Sequence, residues 1–237
     1  MTIILHAVRD RDALLSALSR IDLTVARRTR GRTKQQTERW TICRLLSTLA
    51  QTDKLEFPIT AVHRDRPDFL IQVENTSIGV EVTESISQQF AAFSALAEQE
   101  YPNALLELAH FRWDSPKREV AEMRVLLSQS RLTSDGWAGD HPEREWARFI
   151  QSAVNTKLEK LAASEFEKFD RNWLAIYDNL PLPHINLEDA IAHLRPLLES
   201  CWSRQPTFDA LLVEHGSVIA EITAHGSALL ALNDIWG

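Results

Sequence analysis

The chain has 237 residues, of which 44% are hydrophobic and 25% charged, and its formal net charge is −7. This is an ordinary globular composition, long enough for one substantial core, and we expect a single domain over 1–237. No run approaches the roughly 18 apolar residues of a membrane-spanning helix, and the opening MTIILHAVRDRD reaches charged residues too early for a signal peptide. We therefore expect a cytoplasmic protein with no membrane partner.

Two helices are predicted in the first fifty residues. The segment 10–24 has apolar residues at helical spacing, and TKQQTERWTICRLLSTLAQ forms a second helix. The inner face of that second helix carries four apolar side chains: Ile42, Leu45, Leu46 and Leu49.

A basic run separates the two helices. Residues 1–44 hold ten Lys or Arg and only four Asp or Glu. Five of the basic residues fall within eight positions: Arg27, Arg28, Arg30, Arg32 and Lys34. This density suits phosphate contacts, so we predict that the run binds nucleic acid. The alternative is a solvated loop, and the acidic remainder of the chain would weaken long-range attraction to a polyanion.

After this region the pattern changes to short strands. ITAVH, DFLIQV and IGVEVT predict a three-strand meander, so that 34–84 reads as a helix followed by a hairpin core. Residues 85–169 read mainly as helix, either as an insertion or as flanking helices, and 170–237 supply the remaining strands and one helix. The pattern predicts an α/β fold with a mixed central sheet flanked by helices.

Two carboxylates on the predicted hairpin stand out, because a buried carboxylate is costly unless it is paired or bound to a metal. If Glu74–Ser77 forms a four-residue loop, Asp68 faces Thr83 and Glu81 faces Leu70. Asp68 and Glu81 then become diagonal neighbours on one face of the hairpin, close enough to share a cation. A loop one residue longer or shorter would place them on opposite faces.

This segment resembles the PD-(D/E)xK nuclease superfamily. The resemblance rests on Pro67-Asp68, the apolar strand that follows, Glu81-Val82-Thr83 on the next strand, and the preceding helix with Glu38. It covers about 38–84 and implies a restriction-endonuclease-like core with a helical insertion.

The resemblance implies a metal site and a reaction. Asp68, Glu81 and the carbonyl of Val82, with Glu38 on the neighbouring helix, would hold Mg²⁺ or Mn²⁺. The cation would activate a water that hydrolyses phosphodiester bonds of DNA or RNA. Thr83 stands where the superfamily has its motif lysine, and its hydroxyl can bind water but supplies no positive charge.

The missing amine has two candidate replacements, Lys157 and Lys160. Both lie on a long predicted helix whose apolar face must pack against something, and the sheet is the obvious candidate. Docking of that face could aim one lysine at the carboxylates. The alternative is that both lysines belong to a solvated helix face.

Three interpretations remain open. The first is a metal-dependent nuclease of bacterial type, the second a binding protein that keeps the nuclease-like fold without catalysis, and the third an unrelated α/β protein whose hairpin carboxylates are structural. Nucleic acid is the expected partner, and a homodimer is left open. Cys43 and Cys201 match no metal-ligand spacing, which predicts free buried thiols, and the chain has no glycine-rich phosphate loop.

Overall fold

The computed structural model describes residues 2–132 and 136–236. Within them, eight strands form one sheet whose spatial order follows the chain. The strands are β1 (Thr2–Val8), β2 (Ile59–His63), β3 (Phe69–Val73), β4 (Thr76–Ser85), β5 (Arg171–Asp178), β6 (Ala210–His215), β7 (Val218–Ile222) and β8 (Ser227–Ala231). The α-helices are α1 (Arg11–Leu18), α2 (Lys34–Leu49), α3 (Gln88–Glu100), α4 (Val120–Gln129), α5 (His141–Leu161) and α6 (Leu187–Trp202).

The sheet is mixed, as the sequence predicts. Strands β1 to β4 pair antiparallel, β4, β5 and β6 pair parallel, and β7 and β8 are antiparallel again. The connection from β4 to β5 contains α3, α4 and α5, and the connection from β5 to β6 contains α6. Parallel neighbours require such crossovers, so the predicted α/β class with a helix-flanked mixed sheet is confirmed.

The two faces of the sheet bury different cores. On one face, α1 and α2 pack against side chains such as Val80 and Val82. On the other, α5 and α6 pack against side chains such as Leu174 and Ile176. Because successive residues of a strand point to opposite faces, Glu81, between Val80 and Val82, points to the α5 side.

Capping and apolar periodicity explain where the two site-bearing helices lie. Helix α2 begins after Thr33, whose side chain accepts from the amide of Gln36 in a capping box. Helix α5 buries a stripe at helical spacing, as the sequence predicts: Ile150, Val154, Leu158 and Leu161. The predicted inner face of α2 is also buried.

Four sequence predictions about the elements are wrong or incomplete. The helix predicted over 10–24 ends at Leu18, and the segment NALLELAHF, which lies in the region 85–169 predicted to be mainly helical, forms only a short 3₁₀ turn, Leu108–Phe111. Strands β1 and β8 are absent from the prediction. Both are edge strands with mostly exposed side chains, so they lack the buried pattern that marks an inner strand.

Two further expectations concern the cysteines and the membrane. Cys43 and Cys201 are free and buried, which confirms the predicted thiols. No helix within the described residues has the length and apolar character needed to cross a membrane.

Candidate active site

The register of the β3–β4 hairpin places the two carboxylates opposite each other. Phe69 pairs with Val80 and Val73 with Thr76, so the turn contains two residues where the sequence predicts four. The predicted register is therefore wrong by two residues. Continuing the observed register by one pair brings Asp68 opposite Glu81, and because a shift of two preserves the side of the sheet, both still share the α5 face.

Asp68 is held rigidly at the start of β3. Its side chain is 1% exposed, and one carboxylate oxygen, Oδ2, accepts a hydrogen bond from the backbone amide of Val82 at 2.8 Å. The other oxygen, Oδ1, accepts from the ammonium of Lys34 at 2.8 Å. Each oxygen is thus oriented by one donor.

Glu81 is paired with Lys157. The Lys157 ammonium donates to Glu81 Oε1 at 2.6 Å and to the carbonyl of Val82 at 3.0 Å. Both side chains are buried, and Glu81 Oε2 is buried without a hydrogen-bond partner in the described protein. Burial, reinforced by the nearby Asp68 charge, raises the pKa of Glu81, while Lys157 opposes this shift.

Lys34 and His63 complete the cluster around Glu38. The Lys34 ammonium contacts Glu38 at 2.5 Å as well as Asp68, and His63 Nε2 lies 2.8 Å from the other Glu38 oxygen. Burial opposes the charged form of Lys34, but its hydrogen bonds to Asp68 and then Glu38 raise its pKa above the usual value. The cluster therefore contains three carboxylates, two ammonium groups and an imidazole.

The two lysines proposed as replacements for the motif lysine lie in different environments. Lys157 is 7% exposed and lies on Glu81. Lys160 is exposed and lines a neighbouring cleft that also reaches Glu81. Thr83 is half-buried on the wall of a different cleft, together with Lys157.

The arginines of the predicted basic run differ in their contacts and in whether they line the cleft. Arg28 and Arg32 pair with Glu84 at 2.5 and 3.5 Å. They line a cleft of about 380 Å³ whose other walls include Lys34, Glu38, Val82, Thr83 and Lys157. Arg27 pairs with Glu98 at 3.3 Å, and Arg30 is exposed; neither lines this cleft.

The oxygen atoms present suit a hard divalent cation, although the cluster is compensated by lysines. Asp68, Glu81 and the Val82 carbonyl offer oxygen ligands of the kind that Mg²⁺ prefers, and Glu81 Oε2 is left without a partner. Among the described residues, however, no three His, Cys, Asp or Glu side chains are grouped so as to hold a metal. A metal would therefore have to take over the contact that the Lys34 ammonium now makes with Asp68 Oδ1, whereas Glu81 Oε2 has no hydrogen-bond contact in the described part of the chain to give up.

Comparisons with protein-family models, curated proteins and solved structures found no match. The interpretation of the site therefore rests on its own residues.

Sequence reasoning missed His63 and gave Lys34 a different role. Lys34 belongs to the predicted nucleic-acid-binding run, yet its ammonium lies on Asp68 and Glu38. A signal existed, because Lys34 and Glu38 are four residues apart at a helix start and so share one face. His63 ends the strand that pairs with β3, which places it near Asp68 once the register is known.

Proposed function

We propose that this protein is a divalent-metal-dependent nuclease of the PD-(D/E)xK type, which hydrolyses phosphodiester bonds of DNA or RNA. The observation that carries the proposal is the position of the Lys157 amine, 2.6 Å from Glu81, beside the buried Asp68. The superfamily motif has a lysine at the position of Thr83, and we infer that Lys157 supplies the missing amine beside the carboxylate pair.

The order of elements supports the restriction-endonuclease-like core. Helix α2 precedes the antiparallel strands β2, β3 and β4, and α5 then crosses over to the parallel strand β5. The helix-hairpin order is the one the motif resemblance implies. Helix α5, which makes the crossover, is also the helix that carries the amine.

The residues fit a metal that would be held by Asp68, Glu81 and the Val82 carbonyl, with Glu38 adjacent. When bound, Mg²⁺ or Mn²⁺ supplies positive charge to the phosphate and lowers the pKa of water. Lys157 orients Glu81 and the Val82 carbonyl through its two hydrogen bonds and adds a fixed positive charge near the site. The Thr83 hydroxyl can hydrogen-bond a water from the cleft wall.

Arg28 and Arg32 support a polyanionic substrate. Both line the cleft that contains Lys157, and guanidinium groups bind phosphate through paired hydrogen bonds. Their present partner, Glu84, is itself an anion, so a substrate phosphate can take its place. Substrate phosphates would then lie within the same cleft as the amine.

The second candidate function is a non-catalytic nucleic-acid-binding protein with this fold. It is favoured by one observation: Lys34 pairs with Asp68 and Lys157 with Glu81, so both carboxylates have a counter-charge without a metal. In that case the two ammonium groups are structural, and only the basic cleft contacts a ligand.

Cleavage assays distinguish the two functions. Single-stranded and duplex DNA and RNA are incubated with Mg²⁺ or Mn²⁺ and the wild-type protein, Lys157→Met, or the control Lys160→Met. We expect cleavage by the wild type, little change for Lys160→Met, and a loss of about 100-fold or more for Lys157→Met, since removing one charge-stabilising group typically costs this much. Adding Thr83→Lys to Lys157→Met should restore part of the activity.

Two results would count against the proposal. Absence of metal-dependent cleavage with every substrate would favour the non-catalytic function. Full activity of the Lys157→Met variant would show that Lys157 has no role in cleavage.

A further inference from the structure

Lys34 has an exposed side chain, but its ammonium contacts buried carboxylates. Its side chain is 70% exposed, whereas the carboxylates that its ammonium contacts, on Asp68 and Glu38, are 1% and 5% exposed. Buried carboxylates require a counter-charge, and Lys34 provides it from the solvent side. The ammonium therefore covers the carboxylates at the surface of the site.

Three clefts meet at this ammonium. Lys34 lines the cleft of about 380 Å³ that contains Arg28 and Arg32, a second of about 740 Å³ that contains Arg64 and Arg66, and a third of about 380 Å³ that reaches Glu81. The residue whose ammonium contacts Asp68 can therefore be reached from all three clefts.

The two ammonium groups differ in their freedom to move. Lys157 is buried between α5 and β4 and donates to both Glu81 and the Val82 carbonyl, so its position is fixed by packing. Lys34 extends from the first turn of α2 on a flexible four-carbon stem that is largely in solvent. Its backbone is held by the Thr33 capping box, so the side chain alone can move.

We propose that Lys34 is the internal counter-ion of the metal-free site, that a divalent cation displaces its ammonium from Asp68, and that the released ammonium turns into the Arg28–Arg32 cleft to contact a substrate phosphate. This rests on the proposed nuclease function. Displacement is physically reasonable because a doubly charged cation satisfies Asp68 better than an ammonium group can, and because the exposed Lys34 side chain can reach solvent without any change in the packed core. Lys157 keeps its place throughout.

Amine labelling followed by mass spectrometry tests this directly. The wild-type protein is acylated under conditions of less than one modification per molecule, with and without saturating Mn²⁺. We expect the labelling rate of Lys34 to rise several-fold with Mn²⁺, because the ammonium leaves its two carboxylates. The exposed Lys117, which lines none of these three clefts, serves as a control whose rate stays unchanged, and the buried Lys157 should remain protected in both conditions.

Calorimetry with Mn²⁺ supplies the companion measurement. Lys34→Gln should bind Mn²⁺ several-fold more tightly than the wild type, because the competing cation is gone, whereas Lys117→Gln should bind within about twofold of it. If Mn²⁺ binds the wild type but leaves Lys34 labelling unchanged, the counter-ion role is overturned while the proposed function stands. If Mn²⁺ does not bind the wild type, the proposed function falls and this inference with it.

Discussion

At the scale of single residues, the site depends on one lysine buried in an otherwise apolar helix face. Lys157 directly precedes Leu158 of the buried stripe of α5, so packing of the stripe carries its ammonium to Glu81. The sequence could predict that Lys157 or Lys160 approaches the sheet, because both lie on this amphipathic helix. It could not choose between them, since the choice depends on how the helix is rotated against β4.

Lys157→Met should destabilise the metal-free protein by about 3 kcal/mol, because breaking a buried ion pair leaves Glu81 charged and uncompensated. Mn²⁺ should recover part of this loss by taking over the role of counter-charge. Urea unfolding with and without Mn²⁺ measures both effects.

The matched control is the double variant Lys157→Met/Glu81→Gln, which removes both charges and should be more stable than the single variant without metal. A single variant as stable as the wild type would show that the pair is not buried as described.

At the scale of elements, the hairpin shows which part of the site the sequence can predict. The alternation of apolar residues fixes which side chains share a face, and this parity survives the error in turn length. The turn length itself is set by the conformations of Glu74 and Asn75, for which the sequence carries no glycine-based signal. Face sharing was therefore predictable, and direct opposition of Asp68 and Glu81 was not.

The segment before α2 carries a second prediction, about phosphate binding. Replacing Arg28 and Arg32 together with glutamine should weaken nucleic-acid binding and flatten its dependence on salt by up to about 0.9 log units per lost duplex phosphate contact. Binding isotherms at several salt concentrations measure the slope.

The control variant is Arg9→Gln/Arg204→Gln. It makes the same change in net charge at two exposed residues away from the cleft. If the two double variants have the same slope, the effect comes from overall charge and the cleft does not bind phosphate.

At the scale of the whole molecule, α2 ties the N-terminal part of the chain to its C-terminal end. Arg44 of α2 donates to Glu214 on β6 at 3.0 Å and pairs with Asp234, and Asn233 donates to the carbonyl of Ser47 at 3.2 Å. Burial raises the pKa of Glu214 to about 7, against the opposing effect of Arg44. These contacts join residues more than 160 positions apart, which no local sequence pattern could indicate.

The raised pKa of Glu214 predicts a dependence of stability on pH. Because the folded protein holds this proton more tightly than the unfolded chain does, the stabilisation is complete below about pH 4.5 and is lost as the pH rises through 7. Glu214→Gln should remove this component, which amounts to at most about 3 kcal/mol. Urea unfolding at about pH 5 and pH 8 should therefore show a smaller loss in the variant; equal losses in both proteins would contradict the assignment.

The sequence predicted the fold class and most of the helices and strands. Inner strands and amphipathic helices have apolar residues at regular spacing, which indicates them in the sequence. These elements lie close to the predicted positions. The edge strand β1 and the ammonium groups of the site depend on contacts between distant parts of the chain, which appear only in three dimensions. The edge strand β8 pairs locally with β7, and it was missed because its side chains are mostly exposed.

A calorimetric titration with Mn²⁺ shows whether Asp68 and Glu81 form the proposed metal centre. Asp68→Asn is the matched variant, because an asparagine oxygen can still accept from the Val82 amide while the charge is removed. We predict that the wild type binds about one Mn²⁺ per chain and that Asp68→Asn, shown by circular dichroism to be folded, binds it at least about tenfold more weakly. No heat of binding in the wild type, or equal affinity in the two proteins, would rule out the proposed metal centre.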